Sequence, residues 1–258
     1  MKRRKLVQYA GSSFLATLGL GVMSNWQASQ AQSGGVTVKW LGHTCFQFTG
    51  DGRRILVNPF RRIGCTANYR APNVQTDLVM ISSRLFDEGY LQDIPGSPRV
   101  LAEPGTYQFT NMQVQGIAIA HDRNGGRRFG NNVIWKWNQG GLNLVHMGGA
   151  AAPVGLEQQI LLGRPDVLML PVGGGPKAYT AQEAVQVVQA LKPKMVIPTH
   201  YRTQAADATT CDIANLDEFL SLMQGTPVVR ANGDTVTLQA SSLPADGTRI
   251  QVMNYSFS

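Results

Sequence analysis

The sequence predicts an α/β fold, one domain of layered sheet and helix behind an N-terminal leader. Three observations carry that prediction. At 258 residues and 43% hydrophobic content the chain is long enough to bury one sizeable core. Runs that alternate apolar and polar residues, such as Val36-Thr37-Val38-Lys39-Trp40, stand beside continuous apolar runs such as 166–170 and Met195-Val196-Ile197. The first pattern suits half-buried strands, and the second suits strands covered on both faces. Between the two continuous runs lies Thr180-Ala181-Gln182-Glu183. This is a capping box, whose hydroxyl and carboxylate satisfy free amides where a helix starts. Ala184, Val185, Val188 and Leu191 then share one helical face, and Pro193 ends the helix.

Residues 1–31 read as an export signal. Lys2-Arg3-Arg4-Lys5 forms its basic head, residues 9–23 its mildly apolar stretch, and Ser29-Gln30-Ala31 its cleavage region. Arg3-Arg4 resembles a twin-arginine signal, with Lys2 where Ser or Thr is usual, so twin-arginine and general secretory export both stay open. The expected compartment is the periplasm or, in a photosynthetic bacterium, the thylakoid lumen. The leader carries four basic residues and no acid, so its removal takes the formal charge from +7 to +3. So small a surplus gives no reason to infer a nucleic-acid partner. No later stretch has the length and apolarity of a transmembrane helix. The remaining domain is 32–258. Of its three cysteines, Cys45 sits in an alternating strand, while Cys65 and Cys211 lie in polar loops. That pair is free to form a disulfide in an oxidising compartment, and sequence alone leaves the pairing open.

In chain order, residues 36–40 form the first strand and Leu41-Gly42-His43-Thr44 turns it. Residues 45–48 and 54–57 make a hairpin around Gly50-Asp51-Gly52. Residues 77–81 form an apolar strand that runs into the polar turn Ser82-Ser83-Arg84-Leu85-Phe86-Asp87-Glu88-Gly89, where an α/β enzyme would place its chemistry. Strands follow at 100–102, 106–109 and 112–120, then a Gly- and Arg-rich loop at 123–130 and a hairpin of 133–137 with 142–145. A helix at 156–162, the strand at 166–170, the capped helix, the strand at 195–197 and a helix at 216–223 come next. Residues 228–230, 235–238 and 249–253 read as late strands. No nucleophile elbow of the G-x-S-x-G type is present.

The four histidines, His43, His121, His146 and His200, each follow a predicted strand and enter a turn. Strand ends in an α/β sandwich share an edge, so these side chains are placed to converge. The ordered series Trp40-Leu41-Gly42-His43, Asn58-Pro59-Phe60, His121-Asp122, His146-Met147-Gly148, Leu170-Pro171-Val172-Gly173-Gly174 and Pro198-Thr199-His200-Tyr201 resembles the L-ascorbate-6-phosphate lactonase-like branch of metallo-β-lactamase-fold hydrolases. The resemblance implies a four-layer αββα sandwich with its site at one edge. In active members two metal ions, usually zinc or manganese, hold a hydroxide that attacks lactones, phosphoesters or related compounds.

The family's metal motif, H-x-H-x-D-H, falls on Ser83, Leu85, Asp87 and Glu88, so three histidines are absent. Gly149 stands where the family has its metal-bridging aspartate, and Asn58 replaces the aspartate of D-P-F. His146 is then the sole ligand left at the first metal position. Asp87, Glu88 and His200 remain for a second, with His43 and His121 at the site edge. Two expectations follow from the resemblance and its departures. One is a non-catalytic descendant that holds a small-molecule ligand or a protein partner. The other is a hydrolase with a single Zn or Mn ion, acting on a lactone, ester or phosphoester. A chain with no metal at all is equally open.

Overall fold

The computed structural model describes residues 34–257, and the expected export signal at 1–31 lies outside the described residues. The elements are β1 (Val36–Gly42), β2 (Cys45–Gly50), β3 (Arg53–Val57), β4 (Leu78–Met80), β5 (Arg99–Leu101), β6 (Gly105–Phe109), β7 (Met112–Ala120), β8 (Asn131–Gln139), β9 (Leu142–His146), α1 (Leu156–Leu162), β10 (Val167–Pro171), α2 (Ala181–Leu191), β11 (Met195–Thr199), α3 (Asp217–Leu222), β12 (Val228–Arg230), β13 (Thr235–Leu238) and β14 (Arg249–Val252). They build two mixed sheets. One has the order β13-β1-β2-β3-β4-β5 and the other β12-β14-β11-β10-β9-β8-β7-β6.

Local chemistry fixes the hairpins. Phe46 pairs with Val57 and Gly50 with Arg53, leaving Asp51 and Gly52 as a two-residue turn. Both turn residues have positive φ, 51° and 71°. That is the type I′ geometry whose twist matches the flanking strands. Gly140 and Gly141 turn β8 into β9 in the same way, at φ 59° and 75°. The strand period of two then sorts the first sheet's side chains. Phe46, Phe48, Ile55, Val57, Leu78 and Met80 point between the sheets. Cys45, Leu56, Val79 and Ile81 point the other way, into a smaller cluster with Phe60, Tyr69 and Ala205. The sheets meet face to face, with the Phe48 and Trp137 rings 4.9 Å apart, edge on. The second sheet's central strands, β10 and β11, are buried at every residue, as their continuous apolar runs predict.

Helix α2 starts at the predicted capping box, with the Glu183 N–H donating to Thr180 Oγ1 at 3.2 Å and the Thr180 N–H to Glu183 Oε2 at 2.8 Å. Its Ala184, Val187, Val188 and Leu191 join the main core. The outer face of the first sheet is covered by the segment after β3, which carries one 3-10 turn at Gly64–Thr66. Cys65 in that turn forms a disulfide with Cys211 across 146 residues of sequence, so the pairing left open by sequence is made. Cys45 is free and buried. The late strands divide: β12 and β14 extend the second sheet, while β13 crosses to the first and pairs antiparallel with β1, Val36 opposite Leu238. The fold is thus the α/β sandwich that the resemblance implies.

Candidate metal centre

Strands β4, β9, β10 and β11 run parallel to at least one neighbour and open at their carboxyl ends onto one edge, where open α/β sheets place ligands. His43 leaves the β1–β2 turn at φ 52°, and His200 follows β11 at φ 50°. Both are in the left-handed region that non-glycine residues enter at a cost and that gathers at functional sites. The Trp40 Nε1–H donates to the His43 carbonyl at 3.0 Å and the Gly173 N–H to the His200 carbonyl at 3.0 Å, which fixes both turns. The two rings lie 4.4 Å apart, centroid to centroid. Asp87 comes from the turn after β4. That turn is closed by Glu88 and Gly89 N–H groups donating to the Leu85 carbonyl.

His43, Asp87 and His200 each present a ligand atom within 4.8 Å of the others. Asp87 Oδ2 is 3.6 Å from His43 Nε2 and also meets the Lys177 ammonium. Both His43 nitrogens and His200 Nδ1 are buried and, among the described residues, have no hydrogen-bond partner. Unsatisfied buried polar atoms are costly, and a bound ion is one way that such atoms gain a partner. Burial lowers the His43 pKa against the pull of Asp87. It also lowers His200 well below the ordinary histidine value, helped by His43 and Lys177. Both shifts favour the neutral ring, the form that binds metal. Burial works to raise Asp87, but His43 and Lys177 outweigh it and hold the carboxyl well below the usual carboxylate range. Two neutral imidazoles and a carboxylate fit one divalent ion.

The other expected ligands are used differently. His146 Nδ1 accepts from the Gly148 N–H at 3.1 Å, so Nε2 carries the proton and donates to the Thr44 carbonyl at 2.9 Å. Both of its nitrogens are spent on backbone, and the structure does not bring His146 into the cluster. Glu88 is fully buried and meets Ser83 and His121. Ser83 Oγ donates to Glu88 Oε2 at 2.9 Å, and His121 Nε2 lies 3.5 Å from the same oxygen. Burial, with the charge of Asp87 adding to it, raises Glu88 to about 7, and burial lowers His121 to about 4. A Cβ placed on Gly149 would lie 2.4 Å from both Glu88 Oε1 and His121 Nε2. The space of the absent bridging aspartate is therefore taken by this pair. Of the family's ligands at the first metal position, Ser83 and Leu85 offer no imidazole and His146 is bonded to backbone, while Glu88 Oε1 and both His121 nitrogens are buried with no hydrogen-bond partner among the described residues.

A cavity of about 370 Å³ opens over the cluster, with Ile63, Leu85, Phe86, Phe129 and Ile213 as its apolar walls and Lys177 and Asp212 as polar points. The Cys65–Cys211 bridge ties two of its sides together. Phe129 is held in place by its loop. The Asp122 carboxylate accepts from the N–H groups of Asn124, Gly126, Arg128 and Phe129 at 2.8–2.9 Å, and its pKa falls to about 2 through those bonds. Sequence reasoning did not single out Lys177. A lysine after Gly-Gly-Gly-Pro reads as a solvated loop residue, and only the fold reveals its partner.

The beta-lactamase superfamily domain model matches residues 37–200. A UPF0173 metal-dependent hydrolase of Thermoplasma acidophilum is 25% identical over 188 residues, covering 64% of this chain and 82% of the relative. The crystal structure of a Thermotoga maritima protein assigned as a Zn-dependent hydrolase of the metallo-beta-lactamase superfamily superposes with a TM-score of 0.67 at 26% identity, over 86% of this chain and 100% of that one. Igni18, a metallo hydrolase of Ignicoccus hospitalis, shares the fold at a TM-score of 0.59 and 19% identity, over 80% and 99% of the two chains. Fold, ordered motifs and family match agree: the chain belongs to the metallo-β-lactamase-fold hydrolase superfamily.

Proposed function

We propose that this protein is an exported, strongly altered member of the family, with one metal position kept and the other lost, that hydrolyses a small lactone, ester or phosphoester. The observation that carries this reading is the set His43, Asp87 and His200, with ligand atoms within 4.8 Å of one another and three buried ring nitrogens without a partner among the described residues. A Zn or Mn ion held there would lower the pKa of bound water and polarise a carbonyl or phosphoryl oxygen. The chain's own residues supply the rest. The cavity is the size of a small organic substrate. Its apolar walls would take the hydrocarbon part and exclude water from the cluster. The Cys65–Cys211 disulfide supports an oxidising compartment, the periplasm or thylakoid lumen.

A second reading has its own support. The Lys177 ammonium already neutralises Asp87, and the first metal position is closed. On that reading the cavity holds a small molecule, or the edge holds a protein partner, without turnover. One experiment separates the two. Protein without an affinity tag is recovered from the periplasmic fraction, loaded with Zn or Mn, and screened against lactones, aryl esters and phosphoesters beside Asp87→Asn. The hydrolase reading predicts turnover that needs the ion and is lost in the variant. Loaded protein inert towards every class favours the second reading, and absence from the periplasmic fraction counts against export.

A further inference from the structure

Lys177 is held too firmly for a surface lysine. It follows β10 in the segment Gly173-Gly174-Gly175-Pro176, where Gly174 and Gly175 have φ 73° and 80°, a turn that residues with a Cβ rarely adopt. The Gly174 N–H donates to the Tyr179 carbonyl at 2.8 Å, closing the segment on itself. Arg123 clamps it from the neighbouring loop. Its Nη1 donates to the Gly175 carbonyl at 3.0 Å and its Nη2 to the Ala178 carbonyl at 2.9 Å, so backbone on both sides of Lys177 is fixed. Arg123 is itself paired with both carboxylate oxygens of Glu183 in the first turn of α2. The Lys177 side chain is 18% exposed, and its ammonium contacts Asp87 Oδ2, the oxygen nearest His43 Nε2. Among the described residues lining the cavity it is the sole lysine or arginine.

We infer that Lys177 is a tethered cation that competes with the metal ion for Asp87 and sets the affinity of the His43, Asp87 and His200 site. The inference rests on the single-metal reading above. A carboxylate already paired with an ammonium has less to gain from a second cation. An ion bound with Lys177 in place would put like charges close together where the dielectric is low. Binding therefore requires the ammonium to leave Asp87, and that displacement is charged against the metal. The device makes the site one that fills only when the ion is plentiful or a ligand offers Lys177 another partner.

Zinc titration calorimetry on the full mature chain tests this, comparing the native protein with Lys177→Met, Lys177→Gln and Lys177→Arg. The neutral variants should bind one zinc ion roughly 10- to 1,000-fold more tightly, the span by which one adjacent unit charge alters a carboxylate's affinity for a proton. Lys177→Arg keeps the cation and should stay close to native affinity. Two neutral variants are used so that a folding defect in one, read from its melting curve, does not remove the comparison. Equal or weaker zinc binding by the folded neutral variants overturns the inference while leaving the single-metal reading in place. No zinc binding by any of the four proteins overturns both.

Discussion

Replacing Gly149 by aspartate, the residue that bridges the metals in the active relatives this chain resembles, is expected to lower stability by about 3 kcal/mol and not to rebuild a second metal position. The reason is steric first. The new Cβ would fall 2.4 Å from Glu88 Oε1 and from His121 Nε2. Both side chains are fully buried, so neither can swing aside into solvent. The substitution also adds a carboxylate next to one that burial already holds near neutrality, at about 7. Gly149→Ala separates the two effects, since it brings the contact without the charge and should fall between the native protein and Gly149→Asp in urea unfolding. A Gly149→Asp protein with an unchanged unfolding midpoint would mean that the Glu88–His121 pair is not packed into this space as described.

The second large effect is a contrast between two histidines. His200→Ala removes one of three donors to the proposed ion and should weaken zinc binding by at least about 100-fold, since loss of even an outer-shell partner costs 10- to 100-fold. Its fold should survive, because the His200 ring takes no part in the hydrogen bonds that hold the β11 turn. His146→Ala should do the reverse. That ring is fully buried and joins the backbone of Thr44 to that of Gly148. Its removal leaves a cavity and two orphaned backbone groups, at a cost of about 2–4 kcal/mol. Zinc affinity of the folded fraction should not change. Equal loss of zinc from both variants would return His146 to the metal site and refute the assignment of its two nitrogens.

Much of this was legible in sequence because it is local. Strand period, apolar runs and the Thr180–Glu183 capping box depend on residues within a few positions of one another, and the structure places those elements where they read. The predicted strands put the histidines at their ends, and against the family's motifs Ser83, Leu85, Glu88 and Gly149 stood out as departures. What was not legible depends on distant partners. β13 pairs with a strand some two hundred residues earlier, and nothing in Thr235–Leu238 specifies which sheet it joins. His146 reads as a ligand until the Thr44 carbonyl, 102 residues away, is seen to use its proton. Glu88 is adjacent to Asp87 in sequence, yet the two side chains leave the turn in different directions. One faces the cavity and the other a closed pocket with Ser83 and His121. His43 reads as the edge of the site and the fold makes it the third member of the cluster.

On the proposed reading the first metal position is closed around Glu88 and His121, and the second survives at His43, Asp87 and His200. Native mass spectrometry of the mature, disulfide-bonded chain across a zinc series tests it most directly, because it counts ions on folded protein. One zinc per chain at saturation, absent from His200→Ala, is the predicted result. Two zinc ions per chain, or none at any concentration, would contradict it.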